Sequence, residues 1–413
     1  MTRHFRAALI AALALLAPLY ADDGINYKTI TAGNAHTCAL TADGTAYCWG
    51  ANDLGELGNG TTANAFSPTR IAGKLRFGSL HAGGQSTCGV THNGDAFCWG
   101  DNSFGQLGTP AAIGTCGTAQ TPCSMTPVAV NSTLKFSEVA PGFIASCGLS
   151  NDGVAYCWGD NGNGELGIGT FTGPDNCFGR PCSLSPLPVF TNLRFKTISA
   201  GSANACAVAR SSGALYCWGD GQLDQLGSAI SQPAPATAPV LAAGGLSFAA
   251  TKIGAGVSCG IAKSGAAYCW GNGIEDGLGT TTPPESCFTQ GFGNFPCSSS
   301  PNPVMGGLRF QTEETAIGLE RTTSCMISQS GYAYCWGRGS QGQLGNGTNI
   351  FSTAMPVRVF GNIEFEAIAV GSGHACGLTD RGDAYCWGAN SFGQGGFGID
   401  SANVPMKVAS PVE

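Results

Sequence analysis

The chain has 413 residues, of which 43% are hydrophobic and only 11% are charged, and its formal net charge is −7. This composition excludes a disordered chain, which would combine low hydrophobicity with high charge. The excess of acidic side chains also makes nucleic acid and anionic membranes poor partners, so neither is expected.

The N-terminal segment is typical of a cleaved secretory signal. Arg3 and Arg6 precede an apolar run over residues 7–19, and Ala21 is followed by two aspartates. The run is shorter than the roughly 20 residues that span a bilayer, and no other stretch approaches that length, so no membrane span is predicted. We predict a signal peptide at residues 1–21 and a secreted or periplasmic mature chain. Without Arg3 and Arg6, 17 basic side chains face 26 acidic ones.

The remainder of the chain is one unit copied seven times. The tripeptide Cys-Trp-Gly contains every tryptophan and begins at Cys48, Cys98, Cys157, Cys217, Cys269, Cys335 and Cys386. The spacings between these cysteines are 50, 59, 60, 52, 66 and 51 residues, a period that indicates a repeat array or propeller with three insertions. We place the repeats, within one domain at residues 22–413, at approximately 25–74, 75–133, 134–192, 193–245, 246–307, 308–361 and 362–408.

Each unit contains four short runs in which apolar residues alternate with small or polar ones. In the first copy these runs are residues 27–30, 36–40, 46–49 and 68–71, separated by Gly, Asn, Asp and Pro. This pattern predicts strands and hairpins, here called A to D, and no helical domain. The fold class predicted is all-β, a seven-bladed β-propeller with four-stranded antiparallel blades.

The twenty cysteines divide into ten local pairs with none left over, which predicts disulfides and an oxidising compartment. In the first copy, pairing Cys38 with Cys48 sets Leu40 opposite Ala46, so the sulfurs share one side of the pleat. The fourth pair is one residue longer, within the turn at residues 210–213. The seven pairs that join strand B to strand C are Cys38 with Cys48, Cys88 with Cys98, Cys147 with Cys157, Cys206 with Cys217, Cys259 with Cys269, Cys325 with Cys335, and Cys376 with Cys386.

The other three pairs bracket insertions between strands C and D: Cys116 with Cys123, Cys177 with Cys182, and Cys287 with Cys297. No two cysteines have the two-residue spacing of a zinc site, and no histidine recurs in step with them. We therefore predict no metal site and no cofactor. No histidine has a nucleophile and an acid in a catalytic motif, so we predict no enzyme activity, although a site assembled from several blades stays open.

The repeat resembles that of the regulator of chromosome condensation (RCC1) family over residues 24–408, with cysteine at both positions that flank the motif. The matching residues in the first copy are His36, Ala39, Leu40, Gly44, Tyr47, Trp49, Gly50, Asn52, Gly55, Leu57 and Gly58. The resemblance implies a seven-bladed propeller. It also implies two precedents for function, nucleotide exchange on a small GTPase in the nuclear member and inhibition of β-lactamases by secreted relatives. No exchange residue can be carried over position by position.

A binding surface is expected where the copies differ. The A–B turns vary in sequence, and we interpret the fifth as shortened and the sixth as lengthened around residues 319–321. In an up-and-down blade these turns and the three C–D insertions emerge on one face, which we predict to bind a partner. The candidate anchors are Phe143, Phe178, Arg180, Phe292, Phe295 and Arg321.

Three classes of function follow from these features. We favour a secreted, monomeric, protein-binding propeller; the alternatives are a lectin that binds glycans or the cell envelope, and an enzyme. Exchange on a GTPase, as in the nuclear relative, is disfavoured by export and acidic charge. The disulfide clamps have a simpler alternative role, which is protection of the loops against proteolysis.

Overall fold

Seven antiparallel β-sheets follow one another along the chain and surround a central channel. The computed structural model describes residues 25–110, 114–229, 234–289, 293–320 and 323–411, and the predicted signal peptide lies outside them. The strands of blades 1 to 3 are β1 (Tyr27–Ala32), β2 (His36–Thr41), β3 (Ala46–Gly50) and β4 (Ala65–Arg70); β5 (Phe77–Ala82), β6 (Ser86–Thr91), β7 (Ala96–Asp101), β8 (Thr115–Cys116) and β9 (Thr121–Ala129); and β10 (Phe136–Pro141), β11 (Ala145–Ser150), β12 (Ala155–Asp160), β13 (Asp175–Cys177) and β14 (Arg180–Pro188).

The strands of blades 4 and 5 are β15 (Phe195–Ala200), β16 (Asn204–Ala209), β17 (Leu215–Gly219) and β18 (Ala236–Leu241); and β19 (Phe248–Ile253), β20 (Val257–Ala262), β21 (Ala267–Asn272), β22 (Glu285–Thr289) and β23 (Gly293–Pro303). Those of blades 6 and 7 are β24 (Ile317–Glu320), β25 (Thr323–Ile327), β26 (Ala333–Arg338) and β27 (Ser352–Arg358); and β28 (Ala367–Val370), β29 (His374–Leu378), β30 (Ala384–Ala389) and β31 (Ser401–Lys407).

The predicted seven-bladed β-propeller is confirmed, and three blades contain one strand more than predicted. Blades 2, 3 and 5 are five-stranded because each C–D insertion folds into a hairpin that adds a short outer strand, β8, β13 or β22, beside strand D. The only helical segments among the described residues are two 3-10 turns, at Ile274–Asp276 and Glu314–Ala316. No helix in the described part of the chain is long and apolar enough to cross a membrane.

All ten predicted disulfides are present. Cys38 pairs directly with Cys48 and Leu40 with Ala46, the register that the sequence predicts. In the fourth blade Cys206 still pairs with Cys217, since the additional residue lies in the B–C turn. The Cα–Cα separation is 4.0 Å to 4.1 Å in the seven B–C pairs, as expected for directly opposed residues in an antiparallel sheet.

The repeated tryptophan packs against the blade before its own, and in blades 2 to 7 its Nε1 also donates a hydrogen bond to that blade. All seven indoles are fully buried, and Trp99 of blade 2 donates a hydrogen bond of 2.9 Å from Nε1 to the carbonyl oxygen of Glu56 in blade 1. Gly58 follows in the same loop with φ at +62°, and a Cβ there would lie 2.7 Å from Trp99 Nε1. The recurring Gly-x-Leu-Gly therefore turns the chain and leaves room for the next blade's indole.

Blades 7 and 1 close the ring, and neither blade exchanges a strand with the other. Each is built from contiguous sequence. The backbone N–H of Tyr27 donates to the carbonyl of Gly382 at 3.0 Å, and the Thr37 hydroxyl lies 2.8 Å from Nε2 of His374. Thr37 also donates to the carbonyl of Gln394. Of the two closures that the sequence leaves open, the self-contained one is therefore observed.

The A–B turns have one length, so the predicted shortening in blade 5 and lengthening in blade 6 are wrong. In blade 5 the N–H of Gly254 donates to the carbonyl of Val257 at 2.9 Å, as Gly33 donates to His36 in blade 1. In blade 6 Glu320 and Thr323 pair directly across the turn. The additional residues of blade 6 come earlier, before β24, where they face the channel.

Candidate interaction face and central channel

The A–B turns and the C–D connections lie at the same end of the propeller. This follows from the strand order A-B-C-D, in which every neighbour is antiparallel, and it holds in all seven blades. We call this end the loop face, and the end that carries the B–C and D–A connections the opposite face. The variable A–B turns and the three C–D insertions therefore lie on one face, as predicted.

The three insertions stand on the loop face as disulfide-closed hairpins. Their Cα–Cα separation is 5.8 Å in each case, across hairpins whose cysteines are 7, 5 and 10 residues apart in sequence. In blade 3 the hairpin is short, with Cys177 paired to Arg180. Phe178 lies at its tip with φ at +51° and 73% of its surface exposed. A partner can reach this aromatic ring without rearrangement of the hairpin.

Arg180 anchors the same hairpin to the end of strand C. Its Nε donates to Oδ1 of Asp160 at 2.8 Å, and its Nη2 donates to Oδ2 at 2.5 Å. The Asp160 side chain has no solvent exposure, whereas that of Arg180 is 44% exposed. The guanidinium also lies 5.8 Å from the ring centre of Phe104 in blade 2. Arg180 is at the predicted face, but its two strongest hydrogen bonds are internal.

Phe143 lies at the channel mouth. Its backbone N–H donates to the carbonyl of Gly201 at 3.1 Å, and its half-buried ring covers Gly84 of the neighbouring blade. A Cβ at Gly84 would lie 2.3 Å from the Phe143 ring, so the absence of a side chain at Gly84 makes this contact possible.

Phe295 is buried and does not belong to the accessible surface. Only 3% of it is exposed, since it lies on β23 opposite Cys287 and turns into the base of the hairpin. The interpretation of Phe295 as an anchor is corrected accordingly. Phe292 and Arg321 lie outside the described residues.

Sequence reasoning missed most of the exposed apolar residues on the loop face. Eight of the large apolar residues exposed among the described ones lie in C–D connections or at the start of strand D: Phe66, Phe171, Phe178, Phe288, Ile350, Phe351, Phe392 and Ile399. Three lie in D–A connections at the opposite face: Phe190, Met305 and Phe360. The sequence feature that could have indicated these exposed residues is a phenylalanine or isoleucine within a stretch of Thr, Asn and Gly, as at residues 170–172 and 348–351.

Two of these residues lie on neighbouring backbone segments at the junction between blades 7 and 1. Gly393 lies against the backbone at Phe66, and a Cβ on that glycine would be 2.8 Å from the Phe66 Cα. Phe392 precedes Gly393 in the chain, and both Phe392 and Phe66 are exposed. The apolar surface of the loop face thus continues across the ring closure.

The channel contains a group of titratable side chains that the sequence analysis did not identify. A cavity of about 290 Å³ is lined by the A strands of all seven blades and includes His81, Glu138, Lys252 and Glu314. Burial, with a contribution from Glu314, raises the pKa of Glu138 to about 7, and burial raises that of Glu314. Burial lowers the pKa of His81 to about 3, and nearby Lys252 acts in the same direction. Perturbed groups in a cleft are a feature of binding and catalytic sites.

Among the described residues, one group of three potential metal ligands lies close together, in blades 4 and 5. It comprises Asp224 with Cys287 and Cys297, whose ligand atoms all lie within 4.8 Å of one another. The two sulfurs are bonded to each other, so they are not thiolates and cannot hold a metal in the usual way.

The chain is similar to proteins that carry RCC1 repeats. The RCC1-like domain model matches residues 12–364, and the regulator of chromosome condensation (RCC1) repeat matches residues 365–394. Over 375 residues the chain is 26% identical to the ultraviolet-B receptor UVR8 of Arabidopsis thaliana, covering 89% of this chain and 78% of that one. It is 32% identical over 356 residues to human probable E3 ubiquitin-protein ligase HERC4, covering 84% of this chain but only 31% of HERC4.

Solved structures show the same fold. The structure of Prp20p from Saccharomyces cerevisiae aligns with a TM-score of 0.69 at 19% identity, covering 90% of this chain and 87% of that one. Human WBSCR16 aligns with a TM-score of 0.67 at 20% identity, covering 86% and 87%. With the seven in-register blades and the match of the domain model to most of the sequence, these observations lead to one conclusion: the chain belongs to the RCC1-like domain family.

Proposed function

We propose that this propeller is an exported protein-binding module that takes its partner on the loop face. The observation that carries the proposal is the uneven distribution of exposed apolar residues, most of which lie on that face. Exposed apolar groups that cluster on one surface mark interaction sites, whereas scattered ones do not. The disulfide hairpins support the proposal because a closed loop loses less conformational entropy when it binds.

Export is part of the proposal. Every cysteine is in a disulfide and none is free, a pattern of proteins that fold in an oxidising compartment. The N-terminal segment adds the features of a secretory signal. N-terminal sequencing of the protein recovered from the medium or periplasm is expected to begin near Asp22; recovery only inside the cytosol, with intact residues 1–21, would contradict export.

Relatives are consistent with protein binding. Prp20p has binding properties towards Gsp1p and histones, and a further structure shows yeast RCC1 bound to Kap60. At this level of identity the likeness concerns the fold, so the identity of these partners is not transferred. The proposal takes from them only that propellers of this shape bind other proteins.

The test is a capture experiment with variants matched between the two ends of the propeller. Intact mature protein is immobilised without reductant and incubated with the extracellular and envelope fractions of the producing organism. Phe178→Ser with Phe351→Ser removes two rings from the loop face, and Phe190→Ser with Phe360→Ser removes two rings of similar exposure from the opposite face. We expect the first variant to lose the captured partner and the second to retain it.

The reverse result would assign binding to the opposite face. Retention by both variants, or capture of glycans without protein, would overturn the proposal in favour of the lectin alternative. Catalysis is not part of the proposal: we infer that the protein acts by binding, and turnover of a captured partner would contradict this.

A further inference from the structure

Blade 6 differs from the other blades in its innermost strand. In blade 1, Ile30 is the third residue after the aromatic anchor Tyr27. In blade 6, Ile317 is the seventh residue after the corresponding anchor Phe310. Both pairs of residues occupy the same register against strand B, so four additional residues must leave the sheet. The segment that leaves the sheet contains the 3-10 turn at Glu314–Ala316, and Glu314 lines the channel.

Three other channel positions carry ionisable side chains where sister blades have small ones. Glu138 occupies the register position of Thr29 and Ala250, which face the equivalent residues of strand B. His81 and Lys252 stand two residues further along, where the other blades have residues such as Thr31, Ala140, Ser199 and Ala369. The channel therefore departs from the repeat at four places that converge on one cavity.

The charged groups in the channel are not paired with one another. The ion pairs formed by the described residues do not include Glu138, Lys252 or Glu314, although these groups are close enough to influence one another. Glu138 uses Oε1 to accept a hydrogen bond of 2.9 Å from the N–H of Ile198. Burial of a charge without a partner is costly, which is why the pKa values of Glu138 and Glu314 are raised; an ammonium group beside them would favour their charged forms.

Buried polar atoms without a hydrogen-bond partner also support a ligand site in the channel. Oε1 of Glu314 and Oγ of Ser79 are buried, belong to residues that line the cavity, and have no hydrogen-bond partner. They come from blades 6 and 2. Buried polar atoms are nearly always satisfied in folded proteins, so these two atoms are available to a ligand in the cavity.

The charges restrict what that ligand can be. A simple anion would meet the carboxylates of Glu138 and Glu314, and a simple cation would meet the ammonium group of Lys252. A molecule with an ammonium and a carboxylate group close together satisfies both signs. The volume of about 290 Å³ is at the small end of ligand sites, which suits a compact molecule.

We propose that the central channel binds a small zwitterion of the amino-acid class. Glu138 and Glu314 hold its ammonium group, Lys252 faces its carboxylate, and the hydroxyl of Ser79 accepts a remaining ammonium hydrogen. The site is independent of the loop-face partner, so either proposal can fail without the other.

Calorimetric titration of the mature protein with each of the twenty proteinogenic amino acids tests this proposal. Methylamine and acetate serve as probes that carry only one of the two charges. We expect saturable binding of at least one amino acid at one site per chain, and at least tenfold weaker binding of both single-charge probes. Absence of binding by all twenty amino acids would overturn the proposal, as would methylamine or acetate binding as tightly as the best amino acid.

Variants assign the site to the channel. Glu314→Gln and Lys252→Met are each expected to weaken binding at least tenfold, whereas Glu313→Gln, an exposed neighbour on the same turn, leaves it unchanged. Near-ultraviolet circular dichroism reports whether each variant is folded, and Glu138→Gln replaces any variant that is not. Unchanged binding in a folded Lys252→Met variant would overturn the assignment.

Proton release provides a second readout. Burial raises the pKa of Glu138 to about 7, so at pH 6 this carboxyl is mostly protonated and must lose its proton to receive an ammonium group. Because the pKa of Glu314 is raised too, titrations in buffers of different ionisation enthalpy are expected to show proton release at pH 6 that decreases as the pH rises. Binding without this pH dependence would contradict the role of Glu138.

Discussion

Two classes of disulfide in this protein perform different tasks with the same bond. Seven lie inside the blades and join directly opposed residues of strands B and C, with Cα atoms 4.0 Å to 4.1 Å apart. Three close hairpins on the loop face, with Cα atoms 5.8 Å apart. The first class fixes a blade that hardly varies between copies, and the second holds loops whose sequences differ. The comparison shows that a repeat can stabilise its interior and its variable surface separately.

Removal of one interior pair is expected to have the largest effect. Cys147→Ala with Cys157→Ala leaves a gap in the buried centre of blade 3 and frees the unfolded chain, so the free energy of unfolding should fall by about 3 kcal/mol. Urea unfolding without reductant measures the change. The matched hairpin variant, Cys177→Ala with Cys182→Ala, should lose no more than about 1 kcal/mol, because the released hairpin regains freedom in the folded state too. Equal losses would mean that the two classes do not differ.

Arg180→Met should have the next largest effect, since it removes the partner of a carboxylate that has no solvent exposure. We expect a loss of about 2 kcal/mol, below the usual cost of breaking a fully buried pair because Arg180 is itself half-exposed. Arg194→Met is the control: its partner Asp152 is 66% exposed and 3.8 Å away, so no measurable loss is expected. Asp160→Asn combined with Arg180→Met should recover most of the stability; if it does not, the ion pair is not the cause.

The hairpin disulfide is expected to contribute to affinity more than to stability. In the hairpin variant that lacks Cys177 and Cys182, the partner captured on the loop face should bind about tenfold more weakly, since the loop that carries Phe178 must then be ordered on binding. The dissociation constant, measured by surface-based kinetics, provides the check. The interior variant that lacks Cys147 and Cys157, at a temperature where it is folded, should bind normally. Unchanged affinity in the hairpin variant would favour protection against proteolysis as its role.

The fold was predictable because every part of it rests on local spacing. The register of Cys38 against Cys48 follows from a turn of fixed length, and the propeller follows from seven copies of that unit. The partner of Arg180 was not predictable, since it depends on how the hairpin folds back onto strand C. The prediction that Phe295 is an accessible anchor was wrong for a related reason. In a hairpin, alternate residues face inward, and the sequence does not show which set does so.

The channel cluster was missed because its members are far apart in sequence. Glu138, Lys252 and Glu314 each occur in an ordinary strand or turn, and only the closure of the ring brings them together. An alignment of the seven repeats nevertheless contains a signal for this cluster. When the A strands are aligned through their aromatic anchors, Glu138 stands where blades 1 and 4 have Thr29 and Thr197.

The last prediction concerns a position where the blade interior itself varies. Glu56 is 3% exposed, and the same position holds glutamine in four sister blades, including Gln106. In both copies a side-chain oxygen accepts a backbone N–H two residues earlier, and the backbone carbonyl accepts the next blade's indole. Glutamine can make these contacts without a charge. Burial raises the pKa of Glu56 from its ordinary 4.5 to about 7, with nearby Asp53 and Asp101 contributing.

A raised pKa in the folded state means that Glu56 contributes stability below pH 4.5, which is lost as the pH rises through 7. Glu56→Gln removes this dependence, so its stability advantage over the wild type should be several times larger at pH 8 than at pH 5. Urea unfolding at the two pH values measures the difference, with Gln343→Glu, where the amide nitrogen has no hydrogen-bond partner, as the converse variant that should introduce a similar loss at pH 8. If both variants behaved like the wild type at pH 8, the buried carboxylate would carry no penalty, and this difference between the copies would have no energetic consequence.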